Sequence, residues 1–289
     1  MNTYPHLGPK ALEALQLSDE ERIRYNWTNR WIGYSAAKEI MDHLEFLLNF
    51  PKTPRMPCLL IVGESNNGKS SIIERFLSLH PADDNPDGRT IIAPVVVTGA
   101  PNVPDEGRLY NNILDAIFAP YKTKDHPDNK YKIIFNAFEA IGVKLLIIDD
   151  VSNLLAGTAV KLRQTLNALR TLSTGLKIPI VAAGIETSFQ VIRSDTQLYR
   201  RFEHKELKPW TNDVELARLL KSFEKQLALK NPSTLESNDI AMRVLAMGSN
   251  MIGDIAYTLK SAAEIAIRTK EEKITPKILD ELAKKSLKT

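Results

Sequence analysis

One cysteine, Cys58, stands in a chain of 289 residues, which excludes an intramolecular disulfide and a cysteine-cluster zinc site. Cys58 opens the apolar run CLLIV and reads as a packed strand residue rather than a nucleophile. The five histidines, His6, His43, His80, His126 and His204, show no metal-ligand spacing, and no Ser/His/Asp arrangement is visible. No apolar run approaches the ~20 residues that a bilayer-crossing helix needs. The start, MNTYPHLGPKALEAL, lacks the charged-then-apolar layout of a secretory signal. A cytoplasmic protein without membrane contact is therefore expected. Neither sign of charge dominates: 38 Lys and Arg against 35 Asp and Glu leave +3, too mild to argue for nucleic acid by itself. Glycine and proline are sparse, at 13 and 16, and there is no internal repeat. What remains is an ordinary globular composition, 43% hydrophobic and 25% charged, able to bury a sizeable core.

Four apolar runs read as buried strands: CLLIV (58–62), IIAPVVV (91–97), KLLIID (144–149) and IPIVAAG (178–184), with a fifth short strand near 203–207. Stretches 69–79, 107–119 and 158–173 between them read as helices. Ile40, Leu44, Leu47 and Leu48 mark another helix ahead of the first strand, stopped by Pro51 and Pro54. Strands apolar on both faces and alternating with helices predict an α/β fold with a parallel sheet flanked by helices. After Thr211 the pattern turns wholly helical, over 213–226, 237–247, 252–269 and 275–287. The expected organisation is an N-terminal arm (1–35), an α/β core (36–210) and a helical domain (211–289).

Gly63-Glu64-Ser65-Asn66-Asn67-Gly68-Lys69-Ser70 matches G-x-x-x-x-G-K-[ST] and lies between a strand and a helix. Glycines let such a loop wrap phosphates with backbone N–H groups, and the helix adds its positive dipole end. Lys69 is expected to reach the β and γ phosphates and the Ser70 hydroxyl to ligate Mg²⁺, with Ser71 next along the nucleotide-binding stretch. The run KLLIIDD supplies the other half: Asp149 for Mg²⁺, and Asp150 to orient the attacking water. Trp31 and Tyr34 form either a purine pocket or core filler. Arg200 and Arg201, just before the fifth strand, are either a surface pair or a finger reaching a neighbouring subunit's γ phosphate. Two basic groups, Lys122 and Lys124 (with Lys130 and Lys132) and Lys161 and Arg163, either follow a phosphate backbone or are solvated faces.

Taken together, RYNWTNRWIGYSAAKEIMDHLEFLL, PRMPCLLIVGESNNGKSSIIERF, LLIIDDVSNLLAGT and DTQLYRRFEHKELKPW resemble the AAA+ ATPases, and more closely the TniB family of transposition proteins, relatives of TnsC. The resemblance implies an AAA+ P-loop NTPase core with a C-terminal helical lid. It also implies an ATP- and Mg²⁺-dependent oligomer, a ring or a helical filament on duplex DNA, linking a DDE transposase to the target and to a TniQ-like target-selection factor. By the same resemblance Gly63, Gly68, Lys69 and Ser70 are the phosphate loop, Asp149 the Mg²⁺ aspartate, and Arg200 or Arg201 the finger. Three positions depart from the family pattern. Asp150 replaces the usual glutamate base, Ile185 falls where a polar sensor is common, and Asp254 stands where relatives often carry an arginine. These departures imply ATP binding with slow hydrolysis. A helicase-loader or initiator ATPase, and a nucleotide-gated scaffold with little turnover, are the rival readings.

Overall fold

The computed structural model describes residues 4–85, 88, 90–152, 154 and 158–286; Asn153 and residues 155–157 of the NLLAGT segment lie outside them. In chain order the elements are α1 (Pro9–Ala14), α2 (Asp19–Trp27), α3 (Ser35–Leu48), β1 (Cys58–Gly63), α4 (Lys69–Leu79), β2 (Val95–Gly99), α5 (Glu106–Ala116) and α6 (Pro127–Ala140). There follow β3 (Leu145–Asp149), α7 (Ala159–Gly175), β4 (Ile180–Gly184), α8 (Glu186–Ser194), α9 (Thr196–Tyr199) and β5 (Phe202–Leu207). The chain then runs through α10 (Val214–Glu224), α11 (Asn238–Met247), α12 (Ile252–Arg268) and α13 (Pro276–Ser286). None of the helices among the described residues is long and apolar enough to cross a membrane.

The chain divides into two compact units. One, Ala36–Glu64 with Lys69–Leu207, carries a five-stranded sheet in the order β2-β3-β4-β1-β5. Every pairing is parallel. The apolar runs explain this directly: all six residues of β1 and all five of β4 are buried, as strands covered by helices on both faces must be. Leu60, Leu146 and Ile180 from the sheet pack with Ile113 of α5, Ile134 of α6 and Leu169 of α7 in one core.

Three local features differ from the sequence reading. The run 91–97 becomes a strand only from Val95, because Pro94 lacks an N–H for a ladder and ends the exposed pair Ile91 and Ile92. Helix α6 lies where the sequence reading assigns no element. Its signals are Pro127 in the first turn after the His126 cap, with Ile134 and Phe138 at helical spacing. On α6, Lys130 is 3% exposed and its ammonium donates to the Thr123 carbonyl at 2.9 Å, so it belongs to the fold rather than to a basic surface.

The other unit, Met1–Ser35 with Ser65–Gly68 and Lys208–Thr289, is helical. Its core gathers Ile23 and Ile32 with Leu216, Leu220, Val244, Leu259 and Ala263. Small residues on α12, Ala262, Ala263 and Ala266, let neighbouring elements approach closely. Trp27 of α2 donates its indole N–H to Glu264 at 2.9 Å and meets the Tyr257 ring edge-on at 5.4 Å. Arg22, 1% exposed, ties α2 down: it pairs with Glu272 through both guanidinium ends and donates to the Ala228 carbonyl at 2.8 Å.

Burial pushes the Glu272 carboxyl upward, but the Arg22 hydrogen bond and charge outweigh it and hold the group below its ordinary value. The depressed carboxylate contributes stability above its unfolded pKa of about 4.3. That contribution is lost as pH falls through the still lower folded value. Removing Arg22 leaves the buried Glu272 carboxylate to the Lys230 N–H at 3.3 Å and the Lys230 ammonium at 3.7 Å, so Arg22→Met is expected to lose about 3 kcal/mol at neutral pH. Urea unfolding followed by circular dichroism measures it; a loss under about 1 kcal/mol would mean that the pair is solvated in the folded protein.

Candidate functional site

Strand β1 runs out of the sheet at Gly63, where a Cβ would lie 3.0 Å from the Leu207 side chain and 3.2 Å from its carbonyl oxygen. A side chain there would have to push Leu207 back by a few tenths of an ångström, so glycine suits the exit. Helix α4 begins at Lys69, whose ammonium folds back to donate to the carbonyls of Gly63 at 2.7 Å and Glu64 at 2.9 Å. Burial lowers the Lys69 pKa from its ordinary value, opposed by the negative charges of Asp149, Asp150 and Glu64. A partly desolvated ammonium ringed by carboxylates is suited to a polyanion that brings its own compensating charge.

Strand β3 ends at Asp149, and β4 separates it from β1 in the sheet. Register places Ile148 opposite Ala182 of β4, and Gly184 opposite Val62 of β1, so both strand ends open on the same edge. There the Ser70 hydroxyl donates to an Asp149 carboxylate oxygen at 2.7 Å. The other Asp149 oxygen accepts the Asp150 N–H at 2.8 Å. Asp150 is exposed and left-handed, with φ 54°, so the chain swings out of the strand direction at this residue. A hydroxyl and a carboxylate oxygen in contact are the hard donors that Mg²⁺ takes alongside phosphate oxygens and water. The residues present fit that ion.

Residues 65–68 cluster with the helical unit. Gly68 has φ +88°, and a Cβ on it would lie 3.2 Å from Ile252 and 3.3 Å from the Tyr34 hydroxyl. Asn67, 2% exposed, donates its side-chain amide to the Lys208 carbonyl at 3.1 Å. Tyr34 meets the Trp210 ring edge-on at 5.1 Å, and burial pushes its phenol up to about 12. Trp210 is the aromatic that the sequence reading missed; nothing local marks it, because its partner is 176 positions away. Trp31 is half-buried and accepts the Gln226 amide on its carbonyl at 3.2 Å, while Ile32 enters the core. Of the two expected aromatics, Tyr34 is the one beside Gly68.

The adjacent arginines differ. Arg201 donates to the hydroxyls of Ser173 at 3.1 Å and Thr174 at 3.0 Å, and its carbonyl accepts the Cys58 N–H at 2.8 Å. Arg200 is exposed; its backbone N–H donates to the Thr196 carbonyl at 3.3 Å and its carbonyl accepts weakly from Arg55 at 3.4 Å. Both precede β5, which pairs with β1 from Cys58↔Phe202 to Gly63↔Leu207. They therefore sit at the opposite end of β1 from the loop, roughly 16 Å along the strand. Lys122, Lys124 and Arg163 are exposed; Lys161 is too, with its ammonium 3.9 Å from Asp105. Ile185, at the end of β4, has no polar side chain, but its N–H donates to the Ser152 hydroxyl at 3.2 Å.

A parallel sheet with β1 between β4 and β5, a glycine-lysine-serine loop after β1 and an aspartate ending β3 define the AAA+ P-loop NTPase class. Solved structures share the fold at low identity. The ORC2 protein of Aeropyrum pernix, solved as ADPNP-ADP complexes, gives a TM-score of 0.64 at 14% identity, covering 89% of this chain and 70% of that one. Cdc6p of Pyrobaculum aerophilum gives 0.61 at 17%, covering 91% and 69%. The Aeropyrum pernix ORC1 protein in complex with DNA gives 0.63 at 13%, also covering 91% and 69%. No curated protein gives a significant match. Within the class, the chain belongs to the TniB family: the model for the bacterial TniB protein matches residues 22–212.

Gly68 tests the loop geometry. A left-handed alanine costs about 1–2 kcal/mol from its backbone alone, and the contacts with Ile252 and Tyr34 leave it no slack. Gly68→Ala is expected to lower the urea midpoint by at least that equivalent. An unchanged midpoint would show that the loop holds another backbone conformation in solution.

Proposed function

We propose that this protein is an ATP-dependent regulator of DNA transposition that assembles on duplex DNA and connects a DDE transposase with the target and a TniQ-like target-selection factor. Membership of the TniB family supports the process. The observation that carries the nucleotide chemistry is the Ser70–Asp149 pair at 2.7 Å, with Lys69 on the same strand edge. In this reading Gly63, Glu64, Ser65, Asn66, Asn67, Gly68, Lys69, Ser70 and Ser71 cradle the phosphates of ATP. Tyr34 and Trp31 serve the base side, and Ser70 with Asp149 holds Mg²⁺, which supplies charge neutralisation at the phosphates. Lys69 trades its two carbonyl acceptors for phosphate oxygens, a charge-assisted exchange. Asp150 orients the attacking water. Its short side chain on a left-handed backbone supports slow turnover, since a misplacement of about 1 Å can cost ~10² in rate.

Arg200 is the finger in this proposal. Its exposure at the far end of β5 supports action on a neighbouring copy's nucleotide, whereas Arg201 spends its guanidinium on Ser173 and Thr174. Assembly would then be a ring or a helical filament in the cytoplasm, with Lys122, Lys124, Lys161 and Arg163 as phosphate contacts to DNA. Such contacts position the duplex without reading its bases.

Lys69→Ala is expected to abolish both ATP binding and ATP-dependent assembly on duplex DNA, read by electron microscopy with an ATP analogue. Wild-type-like assembly would remove ATP as the organiser. Arg200→Ala is expected to bind ATP normally but hydrolyse it about 10³-fold more slowly, whereas Arg201→Ala chiefly lowers the unfolding midpoint. Neither Asp150→Asn nor Arg200→Ala should turn over alone, while their mixture should recover phosphate release, because one copy brings the intact loop with Asp150 and the other the finger. No recovery on mixing would rule out a finger acting between copies.

A further inference from the structure

Helix α12 starts without a cap of its own. Met251 occupies the N-cap position and offers no side-chain acceptor, so the first N–H groups of the helix need partners from elsewhere. Phosphate-loop residues supply them. The Gly253 N–H donates to the Asn66 carbonyl at 2.9 Å, and the Ile252 N–H points at the Asn67 amide oxygen at 3.5 Å. In return Asp254, the third residue of the helix, accepts the Asn66 side-chain amide at 2.5 Å. A residue at this position normally reaches back to its own helix's cap in a capping box; here it reaches to a residue 188 positions away. Glycine at 253 is part of the arrangement, since a Cβ there would lie 1.9 Å from the Asn66 amide oxygen. Asn66 itself is left-handed, with φ 61°, a conformation that asparagine tolerates but that nothing in its own neighbours dictates.

We propose that Asp254 is a positioning residue for nucleotide binding: through its hydrogen bond to Asn66 it sets the left-handed tip of the phosphate loop, so that the loop and the first turn of α12 form one reciprocally capped unit. The inference rests on the nucleotide reading above and deepens it. It also gives the acid at 254 a positive role, where the family pattern by itself implies only a lost arginine. An arginine would carry no acceptor for the Asn66 amide.

The test is a double-mutant cycle on the full-length chain, titrating a fluorescent ATP analogue, with thermal midpoints recorded for every variant. Asp254→Ala is expected to weaken binding about tenfold, the size of one net hydrogen bond. Asp254→Asn keeps an acceptor oxygen and should stay within about threefold of wild type on the same scale. Asn66→Ala, which also puts an alanine in the left-handed region, should bind at least as weakly as Asp254→Ala, and the double variant should be no weaker than Asn66→Ala, since the bond is already lost there. Additive losses would overturn the proposal, as would an Asp254→Ala affinity equal to wild type. Tighter binding by both Asp254→Ala and Asp254→Asn would overturn it too, marking the carboxylate as a repulsive charge. If Asp254→Ala does not fold, Asn66→Ala against Asp254→Asn still reads the bond from the loop side. A wild-type chain that binds no nucleotide would instead remove the nucleotide reading and this inference with it, an outcome distinct from the others.

Discussion

Burial of β1 between two parallel neighbours is the constraint on which the sheet unit depends. All six of its residues pair with β5 on one side and four, Leu59 to Val62, with β4 on the other, and both faces are covered by helices. A strand so enclosed cannot slip by one residue without turning polar loop residues into the core. The end of β1 therefore has a defined place, and Gly63 leaves the sheet where Leu207 crowds any side chain. The positions of Lys69 and Ser70 follow from that exit. Asp149 is brought to the same edge by the shared pairing with β4, so a serine and an aspartate 79 positions apart meet within hydrogen-bond distance.

The helical unit solves a different problem. Its core is built from α10 to α13, and two segments of distant sequence are added to it by polar bonds, buried at α2 and half-buried or exposed at the loop. Arg22 and Glu272 fasten α2, with the guanidinium also satisfying the Ala228 carbonyl, so few of its donors remain to be solvated. Asn66 and Asn67 attach through the uncapped start of α12. In both places a backbone group that the helices leave unpaired is satisfied by a side chain or carbonyl from elsewhere. That is the general requirement for burying polar chain.

Neighbouring arginines show how little of a residue's role is written in its type. Arg200 and Arg201 are equivalent in sequence, and both precede β5. The turn through α9 directs one to the Ser173 and Thr174 hydroxyls and leaves the other in solvent. Lys130 and Lys132 divide in the same way: the first is buried against the Thr123 carbonyl, the second is exposed.

Whatever depends on near neighbours in the chain is legible in the sequence. The apolar runs specify buried parallel strands, the helical periods after residue 211 specify an all-helical unit, and the spacing of Gly63, Gly68, Lys69 and Ser70 specifies the loop. Helix α6 was legible by the same rule, from Pro127, Ile134 and Phe138, although the charges between them disguise it. Which residues are joined across long separations becomes visible only in the folded chain. Trp210 beside Tyr34, Asp254 on Asn66, and Arg201 on Ser173 leave no periodic trace, because each side chain is ordinary in its own segment. Periodicity reports which face of an element is buried. Only closing the loops between elements determines which polar groups arrive there together, and the chemistry of the loop is set by those arrivals.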